Sequence, residues 1–498
     1  MVDGQFKPGE FVLEVCKINL VNGQEIDLTQ GDATVLGIKF TEDIQQTSIL
    51  GQLSFADTVN IKSRGPIVGQ ETLDLKIKTG KNWNSEDAMI DFTKNQLMVS
   101  SIEASVNVRE TVGATVINFC SQELMENYRR RLSQSFTGLY SDIVEKILKK
   151  FIKSGKNLYI EPTIGKKKII APNVTPFELI EMAMNEAVND NEEPTYYFFE
   201  TTMGYHFRTL ESMYADKAKP MMKYIETTKP GGYVKKGGVF NWLEAISTMK
   251  GHRIMNMSDG VVNYDEGMYA SKLIVHDIFN KTYNEYEYDY LNPKKIEQKM
   301  PATNRGGLGE PVYSESPINS SGDTITKHKE KTFLVPSSIS KKKADTGMGY
   351  GEVNYDAHHS STVGTGSGSF PEYNFITKNA ANSVQRRVGV NRLFSSAGGG
   401  PSVEIDAHGN TLINAGDMID LAITHRAQQE QGGGLTPDLV YGGPFLIRKI
   451  EHTFTVNPNY HGMKIWAMKD SMPKKLPSKG KPPKKGSGRV IKDYYDGF

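Results

Sequence analysis

Residues 33–120 show the period-two alternation of apolar and polar side chains that is typical of half-buried β-strands. Gly and Asn residues separate the alternating runs, as they do at tight turns. The pattern therefore predicts an antiparallel sheet or barrel in the first part of the chain. The clearest runs are Leu36, Ile38 and Phe40; Leu73, Leu75 and Ile77; Ala104, Val106 and Val108; and Val116-Ile117-Asn118-Phe119.

Residues 126–218 predict a small α/β unit. Apolar side chains recur every four residues over 139–151, which is the spacing of a helix with one buried face. A second helix is predicted over 175–188, because it starts with a Thr in the capping position and a Glu three residues later, which together form a capping box. Aromatic runs on both sides of Gly204 predict a β-hairpin.

The rest of the chain divides into β-rich and polar parts. Strands are predicted again over 219–290 and 403–468, and a helix is predicted over 377–395. Residues 291–375 are rich in Gly, Ser, Asn and Lys and have hardly any apolar periodicity, so they predict a flexible polar insertion. The last residues, 471–498, are rich in Pro and Lys and predict a basic tail.

Two hairpins far apart in the chain have matching sequences. Residues 97–108, LMVSSIEASVNV, align without a gap to residues 445–456, FLIRKIEHTFTV. The alignment continues in register into the following strand. The matched pairs include Ile102 with Ile450 and Ile117 with Ile465.

An upstream block matches as well. Residues 67–77 resemble residues 413–423, at an offset that differs by only two residues from that of the hairpins. Two matching blocks in the same order predict that one barrel is duplicated within the chain. The alternative is that any two β-hairpins look alike. If the duplication holds, three copies of the chain in a cyclic assembly would present six similar units around one axis.

We therefore expect an α+β fold dominated by β-structure, with two related barrel-like domains, a small α/β domain and a long loop-rich insertion. A chain of 498 residues is also longer than one hydrophobic core usually supports. The predicted boundaries are 1–125 for the first barrel, 126–218 for the α/β domain, 219–290 and 376–470 for the two parts of the second barrel, 291–375 for the insertion and 471–498 for the tail.

Charge and cysteine content narrow the range of partners. The 59 Lys and Arg residues balance 58 Asp and Glu residues, so neither a specific nucleic-acid sequence nor an anionic membrane is expected as the main partner. Cys16 and Cys120 are the only cysteines, which excludes a disulfide scaffold and suits a reducing compartment. The first residues lack the features of a secretory signal, and no apolar run is long enough to cross a membrane. We therefore expect a soluble protein that is assembled in a cytoplasm.

The sequence predicts no catalytic residue, no cofactor and no metal. Acidic pairs such as Glu192-Glu193 and Asp87 with Asp91 fit solvated loops better than the paired acids of a glycosidase. His358-His359 lies in the polar insertion, where neighbouring side chains of an extended segment point apart. The Gly-rich runs lack the spacing of phosphate-binding loops. We therefore expect a protein that is not an enzyme, with both cysteines buried.

The tail is the one place where the sequence predicts a binding surface. Lys484 and Lys485 belong to a basic, Pro-rich linker, and Tyr494, Tyr495 and Phe498 follow it. Aromatic side chains at the end of such a linker make useful interface anchors. These five residues are therefore candidate anchors on an acidic neighbouring subunit; the alternative is a solvated tether.

Three segments of the chain resemble the central hub proteins of contractile-tailed phage baseplates, which are related to the spike-hub proteins of contractile secretion systems. The ordered series of segments carries the likeness, because no single motif is diagnostic. The segments are residues 47–73, the unit that begins Val174-Thr175-Pro176-Phe177 with its aromatic hairpin, and the closing blocks 409–417 and 445–468.

The resemblance implies a homotrimer in which paired tube-type barrels form a pseudo-six-fold ring. Such a ring would lie in the tail baseplate of the virion, among surrounding baseplate proteins, and would frame the ejection channel. Its expected partners are the tail tube or a tube-initiator protein, the end of the tape-measure protein, and a central spike protein.

Two features depart from the compact family pattern, namely the 291–375 insertion and the basic tail. The repeats of a fused β-helical spike are also absent from the sequence, so a separate spike chain is implied. The alternatives are a spike-hub of a contractile secretion system, a receptor-binding tail-tip protein, and a hub with cell-wall hydrolase activity. An assay on peptidoglycan would detect the last of these.

Overall fold

The computed structural model describes the chain in sixteen stretches, and every structural statement below concerns them. They are residues 8–29, 33–57, 67–79, 89–109, 112–164, 167–190, 193–216, 222–226, 246–256, 270–277, 282–289, 310–311, 331–337, 402–423, 441–469 and 471–472.

The first part of the chain forms an antiparallel ladder. Buried and exposed side chains alternate along its strands, as in Thr72–Thr79, because one face of the sheet covers an apolar core. Six of the strands are joined in the order β1-β5-β7-β8-β4-β3, and we call them the first ladder. The strands are β1 (Phe11–Asn19), β2 (Glu25–Asp27), β3 (Ala33–Asp43), β4 (Leu50–Asp57), β5 (Thr72–Thr79), β6 (Met89–Asp91), β7 (Leu97–Arg109) and β8 (Val112–Ser121).

A small α/β unit follows. Its helices and its three-stranded sheet β10-β13-β12 enclose a second apolar core. The predicted capping box is confirmed, since Thr175 accepts a hydrogen bond from the Glu178 amide and Glu178 accepts one from the Thr175 amide. The elements are α1 (Gln122–Tyr128), β9 (Ser135–Gly138), α2 (Tyr140–Lys146), a π-helical turn (Ile147–Ile152), β10 (Leu158–Ile160), β11 (Lys167–Ile170), α3 (Pro176–Glu186), β12 (Tyr196–Thr201), β13 (Gly204–Thr209) and α4 (Leu210–Tyr214).

The remaining strands include a closed barrel. Six strands pair in the order β22-β21-β14-β15-β20-β23, and β23 pairs back to β22, which closes the barrel around a third apolar core. We call these six strands the second ladder. The strands of this part are β14 (Met222–Glu226), β15 (Thr248–Asn256), β16 (Ala270–Asp277), β17 (Thr282–Asp289), β18 (Glu310–Pro311), β19 (Lys331–Ser337), β20 (Ser402–His408), β21 (Met418–Ala422), β22 (Gly443–Thr455), β23 (Tyr460–Met468) and β24 (Ser471–Met472).

Two sequence predictions differ from the structure in this region. Residues 270–289 were expected in the second barrel, but β16 and β17 form a separate sheet with β19. Residues 291–375 were expected to be a loop, but they contain β18 and β19, and β18 pairs with β24 at the start of the predicted tail. Alternation along a segment predicts a strand but not the sheet that it joins, and β18 has only two residues. The helix predicted over 377–395 lies outside the described residues.

The fold is thus dominated by β-structure, with a closed six-stranded barrel and short helices. None of the helices in the stretches given above is long and apolar enough to cross a membrane.

Candidate functional site: the seam between the two ladders

The two ladders are joined edge to edge by one strand pair. Strand β22 of the second ladder pairs antiparallel with β3 of the first, from Lys449 opposite Asp43 to Thr455 opposite Gly37. An ion pair crosses this seam, with Lys39 Nζ 3.0 Å from a Glu451 carboxylate oxygen. The two ladders therefore share one continuous sheet, and any relative movement of the ladders would break main-chain hydrogen bonds.

The buried face of the seam holds a stack of rings. His452 lies opposite Phe40 with ring centroids 4.7 Å apart, and Phe454 stacks on His461 at 4.0 Å. The two histidines are joined through His452 Nδ1 and His461 Nε2, which are 3.1 Å apart. Burial lowers the pKa of His452 to about 3, and burial together with the neighbouring His452 lowers the pKa of His461 well below its usual value. Both rings are therefore neutral at physiological pH.

The neutral histidine pair makes the stability of the chain depend on pH. The unfolded chain takes up a proton on each histidine below about pH 6.5, whereas folded His452 does so only near its lowered pKa of about 3. Stability from each ring is thus complete above about pH 6.5 and is lost as the pH falls toward the folded pKa, at about 1.4 kcal/mol per pH unit and per proton. We expect H452F to lower the slope of unfolding free energy against pH by about that amount between about pH 6 and 4. Denaturant unfolding at several pH values measures this, and equal slopes in wild type and variant would contradict it.

A buried carboxylate connects the seam to the α/β unit. Glu42, in β3, is completely buried and accepts hydrogen bonds from the amides of Thr202 at 2.7 Å and Ala415 at 3.0 Å. The amide side chain of Asn414 donates to the Thr202 hydroxyl at 2.7 Å. Desolvation raises the pKa of Glu42, and the hydrogen bonds oppose that rise. One side chain therefore holds together the first ladder, the second ladder and the α/β unit.

A second buried charge cluster joins the first ladder to the α/β unit. Lys156 Nζ lies 2.5 Å from Glu123 and 2.6 Å from Glu200, and all three side chains are less than 10% exposed. The other oxygen of Glu200 accepts a hydrogen bond from the Ile49 amide at 3.0 Å, just before β4. Burial alone would lower the pKa of Lys156, but the charges of Glu200 and Glu123 outweigh it and raise the pKa. Desolvation raises the pKa of Glu200.

Both charge clusters are built as connections between modules. Each carboxylate is buried and is already bound by backbone amides or by Lys156. Its oxygens are therefore poorly placed to act on a substrate. No group of three or more His, Cys, Asp and Glu side chains in the described stretches is arranged to hold a metal ion. The arrangement can fix modules relative to one another, and it does so with groups that are costly to break apart.

The hairpins of the two ladders have the same register. Ile102 lies opposite Ile117 in the first ladder, and Ile450 lies opposite Ile465 in the second, as the sequence alignment predicts. Each hairpin also has a register shift at the same aligned place. The shift lies between Val99 and Ser101 in one hairpin and between Ile447 and Lys449 in the other. A shared bulge is a specific feature, because bulges are retained within families of related sheets.

The agreement extends to the turns and to a second pair of strands. Glu71 accepts a hydrogen bond from the Val68 amide, and Asp417 accepts one from the Asn414 amide, at the predicted matching positions. Strand β3 shifts register against β4 between Val35 and Gly37, and β15 does so against β20 between Met249 and Gly251. The first strands differ, because β1 runs antiparallel to β5 whereas β14 runs parallel to β21.

The candidate anchors of the tail, Tyr494, Tyr495, Phe498, Lys484 and Lys485, lie outside the described residues. The same is true of His358-His359. Cys16 and Cys120 are buried, as predicted, and burial raises the pKa of the two thiols to about 12 and about 11.

One prediction about acidic residues is wrong. Glu193 was expected to be solvated, but it is buried and accepts a hydrogen bond from the Asn189 side chain. Sequence reasoning also passed over the seam residues Glu42, His452 and His461. A signal for His452 was present, because it alternates with Ile450 and Phe454 on the face that a strand turns toward the core.

No known protein-family profile matches the chain, and no curated protein matches its sequence. Solved structures do match. A tail protein from Neisseria meningitidis MC58 has a TM-score of 0.48 and 9% identity, covering 93% of this chain and 97% of that one. The 43 kDa tail protein of prophage MuSo2 from Shewanella oneidensis has a TM-score of 0.46 and 9% identity, covering 92% and 98%. The c3393 protein of E. coli, a component of the type VI secretion system, has a TM-score of 0.38 and 8% identity, covering 94% and 78%.

These structural neighbours are tail proteins and a secretion-system component.

Proposed function

We propose that this chain is a structural hub of a contractile phage tail baseplate. In this role three copies form a pseudo-six-fold ring that joins the tail tube to a central spike and frames the ejection channel. The tape-measure end and the surrounding baseplate proteins are further partners. The work of such a hub is mechanical, and we propose no chemical step.

The observation that carries the proposal is the repeated ladder. The order β1-β5-β7-β8-β4-β3 corresponds, in the same chain order, to β14-β21-β22-β23-β20-β15 in the closed barrel. The shared hairpin register and the two shared bulges support a common origin for the two ladders. A chain that carries one ladder twice lets a three-fold object present six similar units to a six-fold tube.

The buried connections support a rigid adapter. The seam, Glu42 and the Lys156 cluster lock both ladders and the α/β unit together with main-chain pairing and buried charges. A ring that transmits force between a tube and a spike needs modules that do not hinge. Glu42 and Glu200 are completely buried and already paired, so we propose neither of them as a catalytic acid.

The oligomeric state tests the proposal. We expect the purified full chain, alone or with its spike chain, to have three times the 55.5 kDa mass of one chain. Native mass spectrometry measures this, and electron microscopy of the same sample should show rings with six lobes. A monomer or a dimer in both samples, or rings without a three-fold axis, would contradict the hub assignment.

A further inference from the structure

The seam joins an edge of β22 to an edge of β3. The chain contains a second pair of edges of the same two kinds, and among the described strands these edges are largely without a partner. In the strand correspondence given above, β22 matches β7 and β3 matches β15. Strand β7 pairs with β5 only at Leu97 and Met98, and β15 pairs with β14 only at Thr248 and Met249. Beyond those positions no other described strand covers the edges that match the two sides of the seam.

Both of these edges expose apolar side chains. Ile102 in β7 is 40% exposed, and Ile254 and Met255 in β15 are 36% and 45% exposed. An edge with unpaired amides and exposed apolar side chains is a template for pairing with another chain. Both edges also have bulges that the seam strands lack: β7 has two, around Glu103 and Val108, and β15 has one, around Met255. Such bulges limit indiscriminate pairing at an open edge.

The charges of the seam recur on the two edges. Lys39 in β3 corresponds to Arg253 in β15, because both lie two residues after the shared bulge glycine. Glu451 in β22 aligns with Glu103 in β7 in the sequence, and in the ladder pairings the bulge at Glu103 places the next residue, Ala104, at the Glu451 position. Arg253 and Glu103 are both exposed. The two edges are therefore complementary in charge in the same sense as the Lys39–Glu451 ion pair.

We infer that β7 of one copy pairs antiparallel with β15 of a second copy, and that this pairing repeats the seam between chains. The inference rests on the proposed function and specifies its interface. Each ladder has two different edges: β7 and β3 in the first ladder correspond to β22 and β15 in the second. Because one kind of edge pairs with the other kind, the ladders join head to tail. Three chains then close a ring with three seams inside chains and three between them.

The internal seam also gives the register of the external one. His452 lies opposite Phe40, and the ladder pairings match His452 to Ser105 and Phe40 to Ile254. We therefore expect Ser105 of one copy opposite Ile254 of the next. In a directly opposed antiparallel pair the Cα atoms are about 4.5–5.5 Å apart, which is within the range for a disulfide.

Cysteine cross-linking of the full chain tests this register. We expect mild oxidation of the S105C/I254C variant to give covalent trimers on non-reducing gels. A mixture of the S105C and I254C single variants should give covalent dimers and nothing larger. Wild type should give no product, because Cys16 and Cys120 are buried. The S105C/G251C variant is the matched control, since a shift of three residues moves the partner by about 10 Å.

The outcomes separate this interface from the hub assignment. A wild-type trimer whose S105C/I254C variant stays uncross-linked would overturn the β7–β15 pairing and leave the hub proposal standing. Equal cross-linking of S105C/I254C and S105C/G251C would overturn the register. A wild-type chain that is not a trimer would remove both proposals.

A charge exchange gives a second test that does not depend on new cysteines. We expect E103R and R253E each to raise the dissociation constant of the trimer several-fold, because each places like charges across the interface. The E103R/R253E variant should recover most of the lost affinity, since the pair is restored with its signs exchanged. Sedimentation at a series of concentrations measures these constants. Additive losses in the double variant would overturn the pairing of these two side chains.

Discussion

Replacing Lys156 with Met is expected to destabilise the chain by about 3–5 kcal/mol, because it leaves two buried carboxylates without their cation. Lys156 Nζ lies within 2.6 Å of both Glu123 and Glu200, and water cannot take its place in a cluster so little exposed. The loss should be largest near neutral pH and smaller below about pH 4.5, where the unfolded carboxylates are also protonated. Denaturant unfolding of K156M and wild type at two pH values measures the difference.

The chain offers a matched control for this variant. Lys149 makes an ion pair with Glu145 at 2.5 Å, but both side chains are largely exposed on the surface. K149M should therefore cost only a few tenths of a kcal/mol. In K156M, the further change E200Q should recover part of the stability, since it removes one uncompensated charge. Equal losses of unfolding free energy in K156M and K149M would show that burial does not increase the contribution of Lys156 to stability.

Sequence reasoning reached the parts of this fold that depend on neighbouring residues. The capping box at Thr175 and Glu178 is a local arrangement, so four residues were enough to predict it. The alignment of Ile102 with Ile450 rested on whole hairpins and agrees with their registers. Sheet membership depends on distant partners instead, which is why the separate sheet of β16, β17 and β19 was not predicted.

The buried charge clusters could not be predicted from the sequence for the same reason. Glu123, Lys156 and Glu200 come from α1, the loop before β10, and β12, and no spacing in the sequence connects them. Glu42 looks like any other charged residue at the end of a strand until Thr202 and Ala415 surround it. Buried charges at module boundaries therefore become visible only once the fold shows which distant residues are neighbours. Once found, they explain how a chain of several modules can act as one rigid piece.

The second large effect is expected from replacing Gly409 with Ala. A Cβ atom at Gly409 would lie 1.9 Å from His461 Nδ1, and its three nearest atoms all belong to the His461 ring. That ring is stacked on Phe454 and hydrogen-bonded to His452, so moving it away from the new Cβ would disturb both contacts. We expect G409A to destabilise the chain by about 3 kcal/mol or more, at the upper end for overpacked cores. Thermal or denaturant unfolding measures the loss.

A double-mutant cycle assigns this loss to the histidine. H461A removes the three atoms that lie nearest to the new Cβ, at the cost of a cavity in the ring stack. In the H461A background, G409A should therefore cost less than about 1 kcal/mol, so the two changes are strongly non-additive. If G409A costs the same in both backgrounds, the strain lies in the backbone after β20. The contact between Gly409 and His461 would then contribute little to the stability of the seam, and the β3–β22 pairing would be the main connection between the ladders.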